Sequence, residues 1–201
     1  MTRPLAEVIP LRAPPRGLSA LTDEALLAAA GTGDAAALAL IFRRHHQTIY
    51  RTLGRLLGPQ SDLDDLVQNT FLEAWRAAPS FSHRSTAKTW LIGIAYNVFR
   101  HHVRANARRR SAFRLFALES PASTEPVNEA RTDARRDLVQ IEAAVLALSE
   151  DLRATFVLCQ LEDVTSKEAA VLLGTKEGTV RRRLHDARQR LARTLEEGGR
   201  R

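Results

Sequence analysis

The sequence has little cysteine, few aromatic residues and no long apolar run. The single cysteine, Cys159, excludes an internal disulfide framework and any zinc site built from several cysteines, and it fits a reduced cytoplasmic setting. Aromatic residues at 5% limit any single core, although 44% hydrophobic residues are enough to form one. No stretch approaches the roughly 18 apolar residues of a membrane span. The first 17 residues contain four prolines and no continuous apolar core, which predicts a disordered leader over residues 1–20 rather than a signal peptide.

Acidic residues are outnumbered, with 23 Asp and Glu against 30 Lys and Arg, and the sequence pI is near 10.6. Nearly all the basic residues are arginine, whose guanidinium forms forked contacts to phosphates and guanine edges. The balance therefore indicates a polyanionic partner such as a nucleic acid. An Arg-rich host proteome is the alternative, and it predicts that the charges do not cluster.

Helix signals dominate from Thr22 onward, and no convincing period-two strand pattern appears. Residues that favour helix N-caps stand at Thr22, at Asp34, at Ser61 with Asp62, and at Ser85 or Thr86. They predict four helices that form a compact bundle over residues 21–110.

A change in composition follows the predicted bundle. Residues 111–136 contain Pro121 and Pro126 with scattered serine, threonine and glutamate, which is typical of a linker. A second helical block starts near Asp133, and the second domain is assigned to residues 137–196. The predicted fold is therefore all-α, with two small helical domains joined by a flexible linker.

The strongest local pattern is a helix-turn-helix near the C-terminal end. Thr165 and Glu168 form a capping box that opens a short helix, Gly174 ends it, and a longer helix follows from about Lys176. Apolar residues at helical spacing predict the buried stripe of that second helix: Val180, Leu184, Ala187 and Leu191. Its cations lie on the other faces, where a DNA major groove and its phosphates can reach them. The alternative is a solvated Arg-rich helix, which does not explain why cap, turn and basic helix coincide.

A second basic surface is predicted on the fourth helix. Asn97, His101, Arg104 and Arg108 are spaced by four, three and four residues, so they share one face. The preceding loop, residues 81–86, carries an aromatic and two basic side chains, which suits single-stranded nucleic acid through stacking and phosphate pairing. For the nearby aromatics, core packing is the preferred interpretation of Trp90 and Phe99, whereas Tyr96 is left open between packing and stacking.

The third helix has an apolar residue on its polar face. Asp65, Gln68, Asn69 and Leu72 lie opposite the predicted core stripe, and an exposed Leu72 indicates a protein partner. Aspartates at the start of this helix also favour its N-terminus electrostatically, and that role explains them equally well.

Signals for an enzyme are weak. No nucleophile elbow or phosphate loop frames the serine, histidine and aspartate residues. The pairs His45-His46 and His101-His102 are adjacent, so on a helix they point about 100° apart and cannot chelate one metal. We predict no catalytic residue, no metal and no cofactor.

Taken together, these segments resemble the extracytoplasmic-function sigma factors, the minimal two-domain branch of the bacterial RNA polymerase sigma family. The resemblance covers roughly residues 23–195. It is most specific in residues 64–75 (DDLVQNTFLEAW), 90–97 (WLIGIAYN) and 178–188 (GTVRRRLHDAR), which occur in the family's order.

The resemblance implies an alternative sigma factor that binds RNA polymerase core, directs it to specific promoters and is regulated by an anti-sigma factor. The first domain would be sigma domain 2 and the second sigma domain 4, with the linker threading toward the polymerase active-site channel. Polymerase contacts would involve the clamp coiled coil of the largest subunit and the flap. The residues implied at the clamp are Asp62, Asp64, Asp65, Gln68, Asn69 and Leu72.

The resemblance also implies two DNA contacts. The residues implied at the melted minus-ten strand are His83, Arg84, Ser85, Thr86, Lys88, Thr89, Tyr96, Asn97, Arg100, His101, Arg104 and Arg108. The residues implied at the minus-thirty-five duplex are Lys176, Glu177, Thr179, Val180, Arg181, Arg182, Arg183, His185 and Arg188.

Three DNA-facing positions depart from the family, which often has an acidic residue at His101, Arg at Tyr96 and Ser at Arg182. The promoter sequence therefore does not transfer from relatives. The pair His101-His102 suggests the hypothesis that binding depends on pH.

The competing interpretation of the whole chain is a stand-alone helix-turn-helix regulator, which would bind duplex DNA without polymerase. We expect a cytoplasmic protein with no membrane insertion and no intrinsic homo-oligomer.

Overall fold

The computed structural model describes residues 17–58, 62–116 and 133–198, with side chains described for 17–58, 62–109 and 139–197. All the described elements are helical, which confirms the all-α prediction. The α-helices are α1 (Asp23–Gly31), α2 (Ala35–Leu57), α3 (Leu63–Ala77), α4 (Ala87–Phe116), α5 (Asp133–Ala147), α6 (Glu150–Phe156), α7 (Ser166–Leu173) and α8 (Glu177–Gly198). Short 3₁₀ turns occur at Leu18–Ala20 and Ala78–Ser80, and a π-helical turn, Val157–Leu161, continues α6.

Side-chain caps set the starts of three helices in the first half of the chain. Thr22 accepts a hydrogen bond from the Ala25 amide (3.3 Å) at α1. Asp34 accepts two at α2, the shorter at 2.9 Å. At α4 the Thr86 hydroxyl accepts from the Thr89 amide (3.1 Å). Each cap satisfies a backbone donor that the helix itself leaves unpaired. Asp62 precedes α3 without such a bond.

Helices α1 to α4 form the first helical unit around one apolar core. Its fully buried side chains include Leu26, Leu27, Ile41, Ile49, Leu53, Leu56, Val67, Leu91, Ile92 and Phe99. The core stripe that the sequence predicts for α3, Leu63, Leu66, Val67, Phe71 and Ala74, is buried. Phe71 meets Phe42 of α2 edge-on, with ring centroids 4.8 Å apart. This packing leaves the opposite face of α3 and one face of α4 to solvent.

Helices α5 to α8 form the second helical unit, in which α8 packs against α5, α6 and α7. From the predicted stripe of α8, Val180 and Ala187 are fully buried and Leu191 nearly so, while Leu184 is half-buried. Ala169 of α7 is also fully buried, as a close crossing of α7 and α8 requires.

The ends of the predicted leader and linker differ from expectation. Residues 1–16 and 117–132 lie outside the described residues. Leu18–Ala20 form a 3₁₀ turn, and Arg44 donates hydrogen bonds to the carbonyls of Ser19 and Leu21. The prediction of a disordered leader is therefore wrong for residues 18–20. Helix α4 runs to Phe116, beyond the predicted start of the linker at residue 111, whereas α5 begins at Asp133, where the second helical block was predicted to start. Arginine and alanine favour helix, and nothing before Pro121 breaks it.

The two helical units contact each other. Helix α2 meets α5 and α6, and α4 meets α7. A Cβ built on Gly58, after α2, would lie 3.4 Å from Leu146 of α5. Within the described residues no helix is both long enough and apolar enough to cross a membrane.

Candidate nucleic-acid interface

The loop before α4 is shaped by contacts among three aromatic rings. The Phe81 ring lies 4.6 Å from that of His83 and 5.3 Å from that of Trp90, the second contact edge-on. His83 has φ = 55°, a left-handed conformation that residues other than glycine seldom adopt. Backbone strain of this kind is retained where the surrounding contacts impose it, and it often marks functional loops. The His83 ring packs on Phe81, and both His83 and the following Arg84 are exposed to solvent.

The start of α4, directly after this loop, is attached to α1. The Ala87 amide donates to Glu24 Oε1 (3.2 Å). Backbone hydrogen bonds, including this one, lower the pKa of Glu24, so a carboxylate lies beside the N-terminal end of the helix. The contact orients the axis of α4 and therefore the direction in which its basic face points.

The structure places the predicted minus-ten residues along the loop and one side of α4. The exposed ones are His83, Arg84, Thr86, Asn97, His101, Arg104 and Arg108, and the half-buried ones are Ser85, Lys88, Thr89 and Arg100. Lys88 differs from the others because its ammonium contacts the second helical unit. Its Nζ donates to the backbone oxygen of Glu162 (3.2 Å) and lies 3.6 Å from Glu162 Oε2.

Tyr96 does not fit the predicted DNA contact in this arrangement. It is only 7% exposed and packs on Phe99, with ring centroids 5.8 Å apart. Arg100 lies over its other side at 5.9 Å. Burial raises the pKa of Tyr96, so the phenol remains protonated at neutral pH. Tyr96 thus packs in the interior, which is one of the two alternatives that the sequence left open.

The helix-turn-helix has the predicted cap and turn. Thr165 Oγ1 accepts from the Glu168 amide (3.2 Å), and Glu168 Oε2 accepts from the Thr165 amide (3.0 Å). Gly174 ends α7 with φ = 63°. Because that conformation is strained for residues with a side chain, the glycine allows the chain to turn directly into α8.

The predicted minus-thirty-five residues, Lys176 just before α8 and the others on it, fall into three groups. The exposed ones are Lys176, Arg181, Arg182, His185 and Arg188, and the half-buried ones are Glu177, Thr179 and Arg183. Val180 is fully buried against α7 and the rest of the core, so its assignment as a DNA contact is wrong. The same apolar stripe that holds α8 in the unit removes this side chain from the surface.

Two arginines of α8 are held by residues that the sequence analysis did not single out. Arg183 bonds to Asp151 at the start of α6, and Arg188 Nε donates to Gln160 Oε1 (3.0 Å). No local pattern indicates these partners, since each pair is separated by about thirty residues and meets only when α6 packs on α8.

The polar face of α3 is exposed as predicted from its periodicity. Asp64, Asp65, Gln68 and Asn69 are on the surface, and the apolar Leu72 among them is 47% exposed. Asp62 is less free, because its carboxylate lies 3.3 Å from His102 Nε2 of α4. The face therefore combines acidic and amide groups with one exposed apolar side chain.

Other chemistry is sparse in the described part of the chain. Its histidine, cysteine and acidic residues form no group of three or more that could hold a metal ion. Cys159 is half-buried, and burial raises the pKa of its thiol, which disfavours the reactive thiolate.

Comparisons with known proteins match both helical units. Residues 41–109 match the family described as Sigma-70 region 2, and residues 138–191 match Sigma-70, region 4. The chain is 35% identical over 175 residues to the ECF RNA polymerase sigma factor SigM of Mycobacterium tuberculosis, covering 87% of this chain and 85% of the relative. It is also 35% identical over 168 residues to the ECF RNA polymerase sigma factor SigE of Mycolicibacterium smegmatis, covering 80% of this chain but 63% of that longer relative.

Solved structures give the same likeness. The structure of CnrH in complex with the cytosolic domain of CnrY superposes with a TM-score of 0.63 at 26% identity, covering 87% of this chain and 97% of that chain. The sigma factor RpoE from Bartonella quintana, in complex with the anti-sigma factor NepR, has a TM-score of 0.62 at 25% identity and covers 77% of this chain and 94% of that chain.

Proposed function

Because the chain belongs to the extracytoplasmic-function branch of the bacterial sigma-70 family, we propose that three separate surfaces divide the work of starting transcription. As a sigma factor of this branch, the chain directs RNA polymerase to promoters. We assign polymerase docking and minus-ten recognition to residues 21–110, the linker to 111–136, and minus-thirty-five recognition to 137–196.

The minus-ten surface is the loop at His83 with the exposed face of α4. The single observation that supports it best is that an ordered, strained loop stands directly before a helix whose Asn97, His101, Arg104 and Arg108 are all exposed on one side. Stacking rings, an amide and cations in a row suit a single strand with unpaired bases. A stand-alone duplex regulator has no use for such a surface.

The minus-thirty-five surface is the exposed side of α8. Arg181, Arg182 and Arg188 project from the second helix of a helix-turn-helix, the helix that enters the major groove in this motif. Arg183 has a different role in this proposal. It bonds to Asp151 and helps to fix α8 on α6.

The polymerase surface is the polar face of α3, which includes the exposed Leu72. An exposed leucine surrounded by amides and carboxylates resembles the apolar centre and polar rim of a protein interface. We propose that this face docks on the clamp coiled coil of the largest polymerase subunit and that the second unit contacts the flap.

We further propose an anti-sigma partner, because the similar sigma factor RpoE was solved in complex with the anti-sigma factor NepR. The protein would work in the cytoplasm, where the polymerase is, and as a regulator of transcription rather than as an enzyme. Neither a cofactor nor a metal is part of this proposal.

Run-off transcription with core polymerase from the host tests the proposal. The expected result is that transcripts from specific genomic fragments appear only when the protein is added, and that their mapped starts share two upstream elements. Tight duplex binding by the protein alone, without any core-dependent transcript, would contradict the sigma assignment and favour the stand-alone regulator.

Two charge reversals separate the surfaces. Asp65→Arg is expected to weaken association with core polymerase and to leave the DNA contacts of α8 intact. Arg182→Glu is expected to leave association with core intact and to weaken transcription from promoters with a minus-thirty-five element, because it adds a repulsive charge beside phosphate. Equal effects of both variants in both assays would contradict the division of labour.

A further inference from the structure

We propose that Gln160 is a positioning residue for promoter binding, because its amide holds the guanidinium of Arg188 in place without neutralising it. Arg188 then meets a phosphate of the minus-thirty-five duplex with its full charge. The inference rests on the proposed function, which assigns Arg188 to that duplex. It adds a residue from outside the helix-turn-helix and gives it a role in DNA affinity rather than in folding.

The contact between Gln160 and Arg188 joins one edge of the guanidinium to a single oxygen. Arg188 Nε donates to Gln160 Oε1 at 3.0 Å, and Arg188 Nη2 donates to the same oxygen. Both arginine groups are donors, so the amide oxygen of Gln160, rather than its nitrogen, faces them. This contact leaves Nη1 and the second hydrogen of Nη2, which together form the two-pronged donor that phosphate accepts.

Gln160 reaches α8 from the π-helical turn that continues α6. The Glu162 amide donates to the backbone oxygen of Val157, five residues back, at 3.1 Å. A π turn holds more residues than an α turn, so it changes the direction in which its side chains point, and such turns are frequent at functional sites. Val157 and Leu158 are fully buried, whereas Gln160 is exposed. The buried part of the turn therefore gives the amide a fixed base.

Arg188 lies on the exposed side of α8 but far along the helix. It follows Arg181 by seven residues and His185 by three, so the three side chains share one exposed face. In a helix-turn-helix, the first residues of the second helix reach the base edges. Arg188 is about three turns, or roughly 16 Å, beyond the start of α8 at Glu177. We therefore expect it to meet the phosphate backbone, which fixes the register of the protein on the duplex.

The partner of Arg188 is neutral, and this preserves its charge for DNA. On the same face, Arg181 Nη2 lies 2.6 Å from a carboxylate oxygen, Glu177 Oε1. A carboxylate offsets the charge of a guanidinium, whereas an amide oxygen accepts the same hydrogen bonds without a charge. An arginine that is already held also loses less side-chain freedom when it binds. Gln160 thus orders Arg188 and leaves its attraction for phosphate intact.

Gln160→Glu and Gln160→Ala separate the effect of charge from the effect of order. The assay is binding of the holoenzyme to a promoter mapped by run-off transcription, over a range of salt concentrations. Glutamate adds a charge beside Arg188, so the magnitude of the slope of log K against log salt concentration is expected to fall by about 0.9, the value of one phosphate contact on duplex DNA. Alanine removes the order and keeps the charge, so affinity is expected to fall roughly twofold to tenfold with an unchanged slope.

Gln140 provides the matched control. It is an exposed glutamine of α5, in the same helical unit, and Gln140→Glu and Gln140→Ala make the same chemical changes away from Arg188. Both are expected to bind the promoter like the wild type. A loss of affinity or slope equal to that of the Gln160 variants would overturn the inference, because it would reflect the overall charge or the glutamine itself.

Arg188→Gln shows whether Gln160 acts through Arg188. In the Arg188→Gln background, Gln160→Ala is expected to cause no further loss of promoter affinity, as a double-mutant cycle requires of two residues with one joint role. The melting temperature of Gln160→Ala is expected to match the wild type, because the contact is exposed. A loss of affinity that goes with a loss of stability would mean a merely structural role and would overturn the inference.

The remaining outcomes separate this inference from the function on which it rests. Unchanged promoter binding by both Gln160 variants, with weakened binding by Arg188→Gln, overturns the role of Gln160 alone. Additive losses in the double variant overturn it as well. So does an effect of Arg188→Gln that depends on one base pair of the promoter, since a phosphate contact weakens binding uniformly across sequences. Promoter binding that Arg188→Gln does not weaken would instead contradict the assignment of Arg188 in the proposed function.

Discussion

Asp23 lies at the start of α1 and joins that helix to α2. Arg44 Nη1 donates to its Oδ1 and His45 Nε2 to its Oδ2, both at 2.7 Å. Burial alone would raise the pKa of this carboxyl, but the hydrogen bonds and charges of Arg44 and His45 outweigh burial and hold it below its ordinary value. A carboxyl with a lowered pKa stabilises the folded state above the pKa of the unfolded chain, about 3.9, and loses that contribution as the pH falls through the folded pKa.

Asp23→Asn is therefore expected to lower the free energy of unfolding by about 1–2 kcal/mol at pH 7, because the ionised acceptor of two hydrogen bonds is lost. The difference from the wild type is expected to begin to shrink below about pH 3.9, the pKa of the unfolded chain, and to vanish only below the lowered pKa of the folded carboxyl. Denaturant unfolding at pH 7 and at pH 3.5 measures both values. The exposed Asp163, changed to Asn, is the control, and a difference that persists unchanged at pH 3.5 would contradict the assignment.

Neighbouring arginines of α8 are expected to act differently. The Arg182 side chain is 85% exposed, whereas that of Arg183 is 25% exposed and bonded to Asp151. Arg182→Ala should weaken promoter binding by the holoenzyme and leave thermal stability unchanged. Arg183→Ala should lower stability by at most about 1 kcal/mol, because the pair is partly solvated. Melting curves and promoter binding on the same two variants check this, and a reversed pattern would show that the DNA-facing side of α8 is misassigned.

At the scale of elements, the cap of α7 fixes where the helix-turn-helix begins. Thr165→Ala removes the acceptor of the Glu168 amide and is expected to cost about 1 kcal/mol of stability. Thr165→Ser keeps the hydroxyl and should restore most of the loss. Denaturant unfolding of both variants measures the effect, and equal stability of the two would show that the hydroxyl does not act as a cap.

Local chemistry made the helix starts predictable. Thr22, Asp34 and Thr165 were identified from residue type alone, and each makes the expected capping bond. The C-terminal end of α4 was predicted too early, at residue 110, whereas the helix runs to Phe116. The arginine-rich run there contains no residue that marks where the helix ends. The helical spacing of apolar residues predicted that Val180 is buried, whereas the family resemblance implied that it contacts DNA. The structure agrees with the spacing.

Contacts between distant residues were not predictable in this way. Glu162 meets Thr52 across 110 positions, and nothing in the composition around either residue indicates a partner. Asp151 and Gln160 were missed for the same reason, since a helix pattern predicts which face is buried but not which polar side chain stands opposite.

At the scale of the whole molecule, the surfaces proposed to bind DNA and the surface proposed to bind polymerase differ in charge. The excess of 30 basic over 23 acidic residues is not spread evenly, because exposed cations are most numerous on α4 and α8, with Arg43, Arg44 and Arg51 on α2, while α3 presents mainly carboxylates and amides. An Arg-rich proteome alone does not account for such segregation. Opposite surfaces of this kind let one small protein hold an anionic strand and a protein partner at once.

The salt dependence of promoter binding reports which cations contact phosphate. Binding to a single strand releases counterions, and each phosphate contact contributes about 0.7 to the slope of log K against log salt concentration. Arg104→Gln in the holoenzyme is therefore expected to reduce the slope by about 0.7 on a template with a pre-melted minus-ten segment. Arg51→Gln makes the same charge change on the exposed side of α2 and is expected to leave the slope unchanged. If both variants shifted the slope equally, the protein's overall charge rather than the face of α4 would govern binding, since only a local contact distinguishes two arginines of equal charge.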